Sequence, residues 1–232
     1  VRYAADSSFS PQSIQNLIAW YAADRISGIS NGASVSSWPD LSGNGNNLSQ
    51  ATGANQPTYL VSSINGRPAV SFNGTSSVMS LPGAFSAGNN NTLFCVFQPT
   101  TASIGGLLDS APATSNVYRN YTAGSWEWNA NAPTFPLTLL NANPVLIGLT
   151  ASLAPSRQVL YERNNMLIST NTNASTAAMA WTNPVIGNVN GAAPWYSGTI
   201  AELLIYNRSL LAAERTLIAQ YLSAKWGITL NT

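Results

Sequence analysis

Short apolar or alternating segments recur along the chain, broken by clusters of Gly, Pro and Asn. An apolar residue at every second position sets one face of a strand against a core, so this pattern predicts an all-β sandwich. Strands are expected at Ala69–Phe72, Val78–Leu81, Thr92–Gln98, Asn116–Tyr121, Ser125–Asn129, Val145–Ser152 and Thr199–Asn207. QVLYERNNMLIST reads as a hairpin, because Asn164 and Asn165 tolerate the positive φ of a tight turn. Only two segments have helical periodicity. SIQNLIAWY, starting at Ser13, places Ile14, Leu17 and Ile18 on one face of a short helix. After Asn207 a stripe of Leu217, Ile218, Tyr221, Leu222 and Trp226 predicts a longer one, with Lys225 at its negative end and Gly227 as the C′ residue. That stripe must cover something. The strand before it is apolar on both faces, as a strand roofed by a helix is. No linker and no fixed-period repeat divides residues 1–232, so a single domain is expected.

Composition narrows the function. A chain of 232 residues buries a core without staples, yet only 7% of it is charged, far below the usual quarter. Asn, Ser, Thr, Ala and Gly must cover the surface, which is then hydrated but nearly uncharged, as on extracellular, virion or crowded-assembly proteins. With 45% hydrophobic residues and a net charge of +1 the chain is not of the disordered class. Its basic residues are scattered singly from Arg2 to Lys225, which excludes general nucleic-acid binding. No apolar run approaches the length of a membrane helix. No secretory leader is visible, and a chain opening on Val is expected to be processed or trimmed. Cys95, within TLFCVFQ, has no intrachain partner and is expected to pack as a small hydrophobe.

Composition also removes chemistry. Without histidine there is no Ser-His-Asp or Cys-His catalysis and no His-ligated metal. No Gly-rich phosphate loop is present. Carboxylate chemistry, oxygen-ligated metal or no chemistry remain. The loop DLSGNGN from Asp40 has oxygen-bearing side chains at alternate positions, as a calcium loop does, with Asp24 the natural additional ligand. The competing reading is a structural loop, with Gly43 and Gly45 at positive φ, Asp40 and Asn44 bonded to nearby amides, and Trp38 anchoring the base.

Aromatic rings are the usual platforms for sugars. In SWEWNA, a strand would turn Trp126 and Trp128 to one face and Glu127 to the other, with Arg119, Tyr121 and Asn129 supplying polar contacts. The alternative is that both indoles fill the sandwich core. Trp195 and Tyr196 are candidates for a second exposed edge, whereas Trp20, Trp38 and Trp226 are expected to be structural.

WPDLSGNGNNLSQ, QPTYLVSSINGRPAVSFNG and YSGTIAELLIYNRSLLAAERTLIAQYLSAKWGI resemble, in order, successive blocks of the laminin-G-like jelly-roll domains of bacterial and phage surface proteins. The resemblance begins at LIAWYAAD, runs almost to the C-terminus and is weakest between Gly105 and Pro184. It implies the concanavalin A-like jelly-roll antiparallel β-sandwich, with the C-terminal α-helix packed on it. That fold hosts lectins, glycanases, adhesion modules and structural domains. Relatives carry acidic residues after FNG where Thr75, Ser76 and Ser77 stand here, which weakens a metal site. Relatives often have a capping Ser where Leu211 stands; Glu214 is retained, but its reciprocal partner is missing.

Glycanases of this fold carry Glu-x-Asp-x-x-Glu on one strand, with carboxyls about 5 Å apart for retention and about 6.5–9.5 Å for inversion. The acids here are Asp6, Asp24, Asp40, Asp109, Glu127, Glu162, Glu202 and Glu214, with no two close in sequence. Glu202 is therefore expected to be a structural carboxylate bonded to backbone or an arginine. The sequence thus predicts a non-enzymatic, lectin-like domain for a neutral polysaccharide or cell-surface glycan, without a cofactor unless calcium binds, on a virion or secreted assembly. The competing expectations are a decoration or fibre subunit contacting only other virion or surface proteins and, third, a polysaccharide hydrolase or lyase.

Overall fold

A computed structural model describes residues 9–100, 106–111, 118–122, 125–127, 135–136, 143–153, 157–173, 181–189 and 192–231. At 110–111, 118–122, 125–127, 135–136, 157, 169, 171, 173, 182, 189 and 192–194 it describes the backbone alone. The strands in chain order begin with β1 (Leu17–Ala22), β2 (Ser37–Trp38), β3 (Leu48–Ser49), β4 (Thr58–Ile64), β5 (Arg67–Asn73) and β6 (Met79–Ser80). There follow β7 (Asn91–Pro99), β8 (Gly106–Ala111), β9 (Tyr118–Thr122), β10 (Ser125–Glu127), β11 (Phe135–Pro136) and β12 (Val145–Ser152). The last are β13 (Arg157–Arg163), β14 (Met166–Asn173), β15 (Thr182–Ile186), β16 (Asn188–Val189), β17 (Ala192–Trp195) and β18 (Ser197–Tyr206), before helix α1 (Ala212–Trp226).

Among the described residues, two eight-stranded antiparallel sheets form the sandwich. The first runs β14-β13-β12-β7-β18-β5-β4, with β1 also paired to β18; the second runs β11-β10-β9-β8-β15-β6-β3-β2. A two-stranded ribbon, β16–β17, pairs with neither sheet's ladder but packs beside β8. The predicted β-sandwich with a C-terminal helix is the observed architecture.

The pleat of the first sheet serves two cores. Along β7, Leu93, Cys95 and Phe97 face the core between the sheets, while Phe94 and Val96 face the core under α1. From the helix come Ile218, Ala219, Leu222 and Trp226, so its predicted stripe is rotated toward Ala219, and Leu217 lies 45% exposed. Gly227 ends the helix at φ 68°, the left-handed conformation expected of it. Cys95 is fully buried, as expected. Gly148 in β12 sits beneath Phe94, where an added Cβ would approach the ring to 2.9 Å.

The hairpin turn forms as predicted, with φ of 47° at Asn164 and 67° at Asn165. The helix predicted from Ser13 does not. A short 3-10 turn covers Pro11–Ser13, Asn16 takes φ 69°, and Leu17–Ala22 continue as β1. LIAWYA fits both periods. Partner strand β18 decides between them, pairing from Leu17↔Tyr206 to Ala22↔Glu202 and burying Leu17, Ala19 and Tyr21. Strand β4 is not visible in the pattern because it lies at the sheet edge, where Val61 and Ser62 are exposed.

Candidate functional site

Glu202 lies under α1 because β18 bulges. In the pairing with β7, Ile200 faces Phe97 and Glu202 faces Val96, so Ala201 is the extra residue. A bulge breaks the alternation of the pleat, and here Ala201 and Glu202 both reach the helix side while Ile200 and Leu203 face the inter-sheet core. The carboxylate is fully buried. Its Oε1 accepts from Trp20 Nε1 at 2.6 Å and Tyr221 Oη at 3.1 Å; its Oε2 accepts from Trp226 Nε1 at 2.5 Å and pairs with Lys225 Nζ at 2.8 Å. Four donors use the acceptor capacity of both oxygens. Lys225 also pairs with Asp24 at 3.0 Å and lies 5.1 Å from the Trp226 ring centroid. Its partners are indoles, a phenol and an ammonium rather than the backbone or arginine expected. The fold also brings Asp24 and Glu202 to one ammonium, an association that sequence separation conceals.

Asp40 holds a loop. Its Oδ1 accepts from the amides of Trp20 and Ser42, each at 2.9 Å, and its Oδ2 from Ser42 Oγ at 2.8 Å and the Asn46 amide at 2.9 Å. Asn44 and Asn46 donate to the carbonyls of Leu17 and Ile18, which laces the loop to β1. Gly43 and Gly45 take the left-handed conformation the turn needs, with φ of 90° and 75°. Of the two readings of this loop, the geometry is that of the structural one, and the calcium candidates Asp40 and Asp24 both carry protein partners. N–H and O–H donors surround the first, and Lys225 engages the second. Among the described residues no three acidic, His or Cys side chains converge.

For the expected aromatic platform the structure supplies register. Trp126 of β10 pairs with Asn120 of β9 and with Phe135 of β11, while Glu127 pairs with Arg119. Ser125 pairs with Thr122, so the register skips Tyr121. Arg119 therefore shares its register position with Glu127 and not with Trp126. Trp128 and Asn129 lie outside the described residues. Trp195, half-buried, ends β17 opposite Asn188. Tyr196 does not belong to an exposed edge. It is 3% exposed, packs between Phe72 and Phe97 with ring centroids 6.0 and 6.4 Å away, and donates to the Thr199 carbonyl.

A depression of about 260 Å³ opens between the 3-10 turn Ala23–Arg25 and β2. Its apolar lining is Ile26, Ile29, Val35 and Pro39; its polar lining is Ser27, Ser34, Ser36 and Ser37. It lies where both sheets end, β4 closing one and β2 the other. The connecting loop runs along the β4 edge, through Gly32 N to Tyr59 O, Tyr59 N to Ala33 O and Val35 N to Pro57 O, each 2.8 Å. Sequence reasoning missed this cleft. The only signal was ASVSSW, where Val35 and Trp38 are buried and Ser34, Ser36 and Ser37 are left exposed.

The chain matches no protein-family profile and no curated protein. Solved structures do match. Domain 4 of a GH43 extracellular arabinanase from Geobacillus stearothermophilus, solved with arabinotriose, aligns with a TM-score of 0.61 at 17% identity, over 88% of this chain and 98% of that one. A Trypanosoma rangeli sialidase in complex with sialic acid aligns at 0.63 and 16%, over 91% of this chain and 33% of the sialidase. The binding domain of Paraclostridial Mosquitocidal Protein 1 aligns at 0.63 and 14%, over 90% of this chain and 52% of that domain. This chain thus spans nearly all of the arabinanase domain, half of the toxin domain and a third of the sialidase. Such identities show the fold, an antiparallel β-sandwich. They also correct the expectation that the chain is not an enzyme: the same architecture occurs within a sialidase and in a domain of an arabinanase, so a missing Glu-x-Asp-x-x-Glu strand does not exclude glycoside chemistry.

Proposed function

We propose that this chain is a carbohydrate-recognition domain of the laminin-G-like kind, displayed outside the cell or on a virion and binding a neutral glycan. The observation that carries this reading is the likeness to an arabinanase domain solved with arabinotriose, which this chain covers almost end to end. The surface chemistry supports it. Only 7% of residues are charged, and Asp24, Glu162, Glu202 and Glu214 are all held in ion pairs. Trp126, with Trp128 and Asn129 following it in the sequence, is proposed as the stacking strip; Arg119 and Tyr121 belong to the strand paired with β10, and Trp195 is a separate ring.

Screening against neutral polysaccharides by glycan array and affinity electrophoresis tests this. Trp126→Ala is expected to weaken binding about tenfold or more, as the loss of a stacking ring does, with the melting temperature unchanged. No binding to any glycan, or binding lost only through unfolding, overturns the reading. Measuring new reducing ends in the same incubations shows whether the bound glycan is also cleaved.

One observation favours protein contacts instead. Met166, Leu167 and Ile168 are exposed on β14, the terminal strand of the first sheet. A decoration or fibre subunit would bury about 1,000 Å² or more there, visible as an oligomer in sedimentation.

A further inference from the structure

We propose that the cleft between the sheet edges is a binding subsite for one neutral sugar residue. This rests on the glycan-recognition reading and gives it a second location, away from Trp126.

The argument starts from topology. At this rim neither sheet has a further strand, and the connection from β1 to β2 crosses the gap between them. Pleat extension cannot fill such a gap, so the cleft persists. The loop around it is nevertheless pinned: its backbone is bonded to β4, Val35 and Trp38 are buried in the inter-sheet core, and Ile26 and Ile29 pack against that core. An open depression on a pinned loop is pre-organised, and little ordering is required on binding.

The lining selects the ligand class. It presents apolar side chains together with serine hydroxyls, and no charged side chain. No hydrogen bond to a described residue engages the Oγ of Ser27, Ser34, Ser36 or Ser37. Each hydroxyl can donate one bond and accept others, which matches sugar hydroxyls, while Ile26 and Ile29 suit the C–H face of a ring. A phosphate, a metal cation or a carboxylated sugar would enter uncompensated. About 260 Å³ lies just below the range of drug-sized pockets, the scale of a single pyranose or furanose. With no aromatic ring in the lining, a roughly millimolar dissociation constant is expected for one residue, tighter when an oligosaccharide also reaches a second site.

The test is a backbone amide chemical-shift titration of the chain with methyl glycosides of glucose, galactose, xylose and arabinose, with arabinotriose, and with sialic acid as the charged control. Saturable shifts at residues 26–37 with at least one neutral glycoside, and none there with sialic acid, are expected. The double variant Ser34→Ala/Ser36→Ala should weaken that binding about tenfold, since two hydroxyl bonds are removed. Both serines are exposed, so the fold should be retained. The shift map on the unaltered chain decides the matter even where a variant misfolds. Shifts confined to β9–β11, or a double variant that binds undiminished, overturn the cleft while leaving glycan recognition intact. Absence of binding by every sugar overturns both.

Discussion

Glu202 and Glu214 lie at either end of the segment that docks the helix, and burial of the first and the Arg208 bonds to the second give them opposite responses to acid. Desolvation pushes the Glu202 carboxyl above the usual range, although the charge and hydrogen bond of Lys225 and the bonds from Trp20 and Trp226 oppose the shift. Its folded form therefore takes up a proton before the unfolded chain does. The stability so contributed is complete below the unfolded value of about 4.3 and lost as pH rises through the folded one. Glu214 goes the other way: bonds from Arg208, at 2.8 and 2.5 Å, pull it below the usual range, with help from the Leu211 amide. Its contribution is present above about pH 4.3 and lost as pH falls through its lowered value. In urea melts from about pH 3 to 7, Glu214→Gln should flatten the acid-side loss of stability, and Glu202→Gln should remove the opposing slope. Glu202→Gln should also cost about 3–5 kcal/mol at neutral pH, because the new amide N–H groups would face indole and ammonium donors. A Glu202→Gln variant as stable as the wild type would show that the cluster under the helix does not hold it. None of these partners was legible beside Glu202 in sequence; Trp20 stands 182 positions away.

At the scale of elements, α1 begins without a side-chain cap. Leu211 occupies the N-cap in extended geometry (φ −67°, ψ 156°), 69% exposed, and donates its amide to Glu214 while offering no acceptor in return. Leu211→Ser completes a capping box and should stabilise the chain by about 1 kcal/mol, read as a higher melting temperature; no gain would mean the first turn is already held by the Arg208–Glu214 pair. This defect, the Gly227 stop and the Asn164-Asn165 turn were all legible, because caps and tight turns are set by residues within a few positions of one another. Leu17–Ala22 was misread as helix for the converse reason: its local pattern permits both periods, and the choice belongs to its partner strand.

For the whole molecule, scarcity of charge is the governing property. The described ion pairs, Arg208–Glu214, Arg215–Glu162 and Lys225 with Asp24 and Glu202, fasten the helix segment to the sandwich. These pairs take seven of the charged residues (9 Lys and Arg, 8 Asp and Glu), leaving ten over 232 residues, a sparse field for steering a ligand. Glycan affinity should consequently change less than about twofold between roughly 50 and 500 mM salt, since screening acts on charged partners. A steep loss with salt, measured by titration calorimetry, would indicate a charged ligand and count against a neutral one. Composition pointed to this ligand class, whereas the location of the cleft could not be read, because its lining lies in a loop whose place between two sheet edges emerges only when both sheets are assembled.

Alternation, turn residues and the helical stripe were sufficient by themselves to determine a β-sandwich roofed by a C-terminal helix, because each acts over a few residues and draws on burial alone. Which way Glu202 faces, how the Asp40 carboxylate is employed and where a cavity opens were decided by the tertiary structure. Each depends on groups far apart in the chain: a single extra residue, Ala201, against β7 turns a carboxylate from one core to the other, and no local pattern records that register.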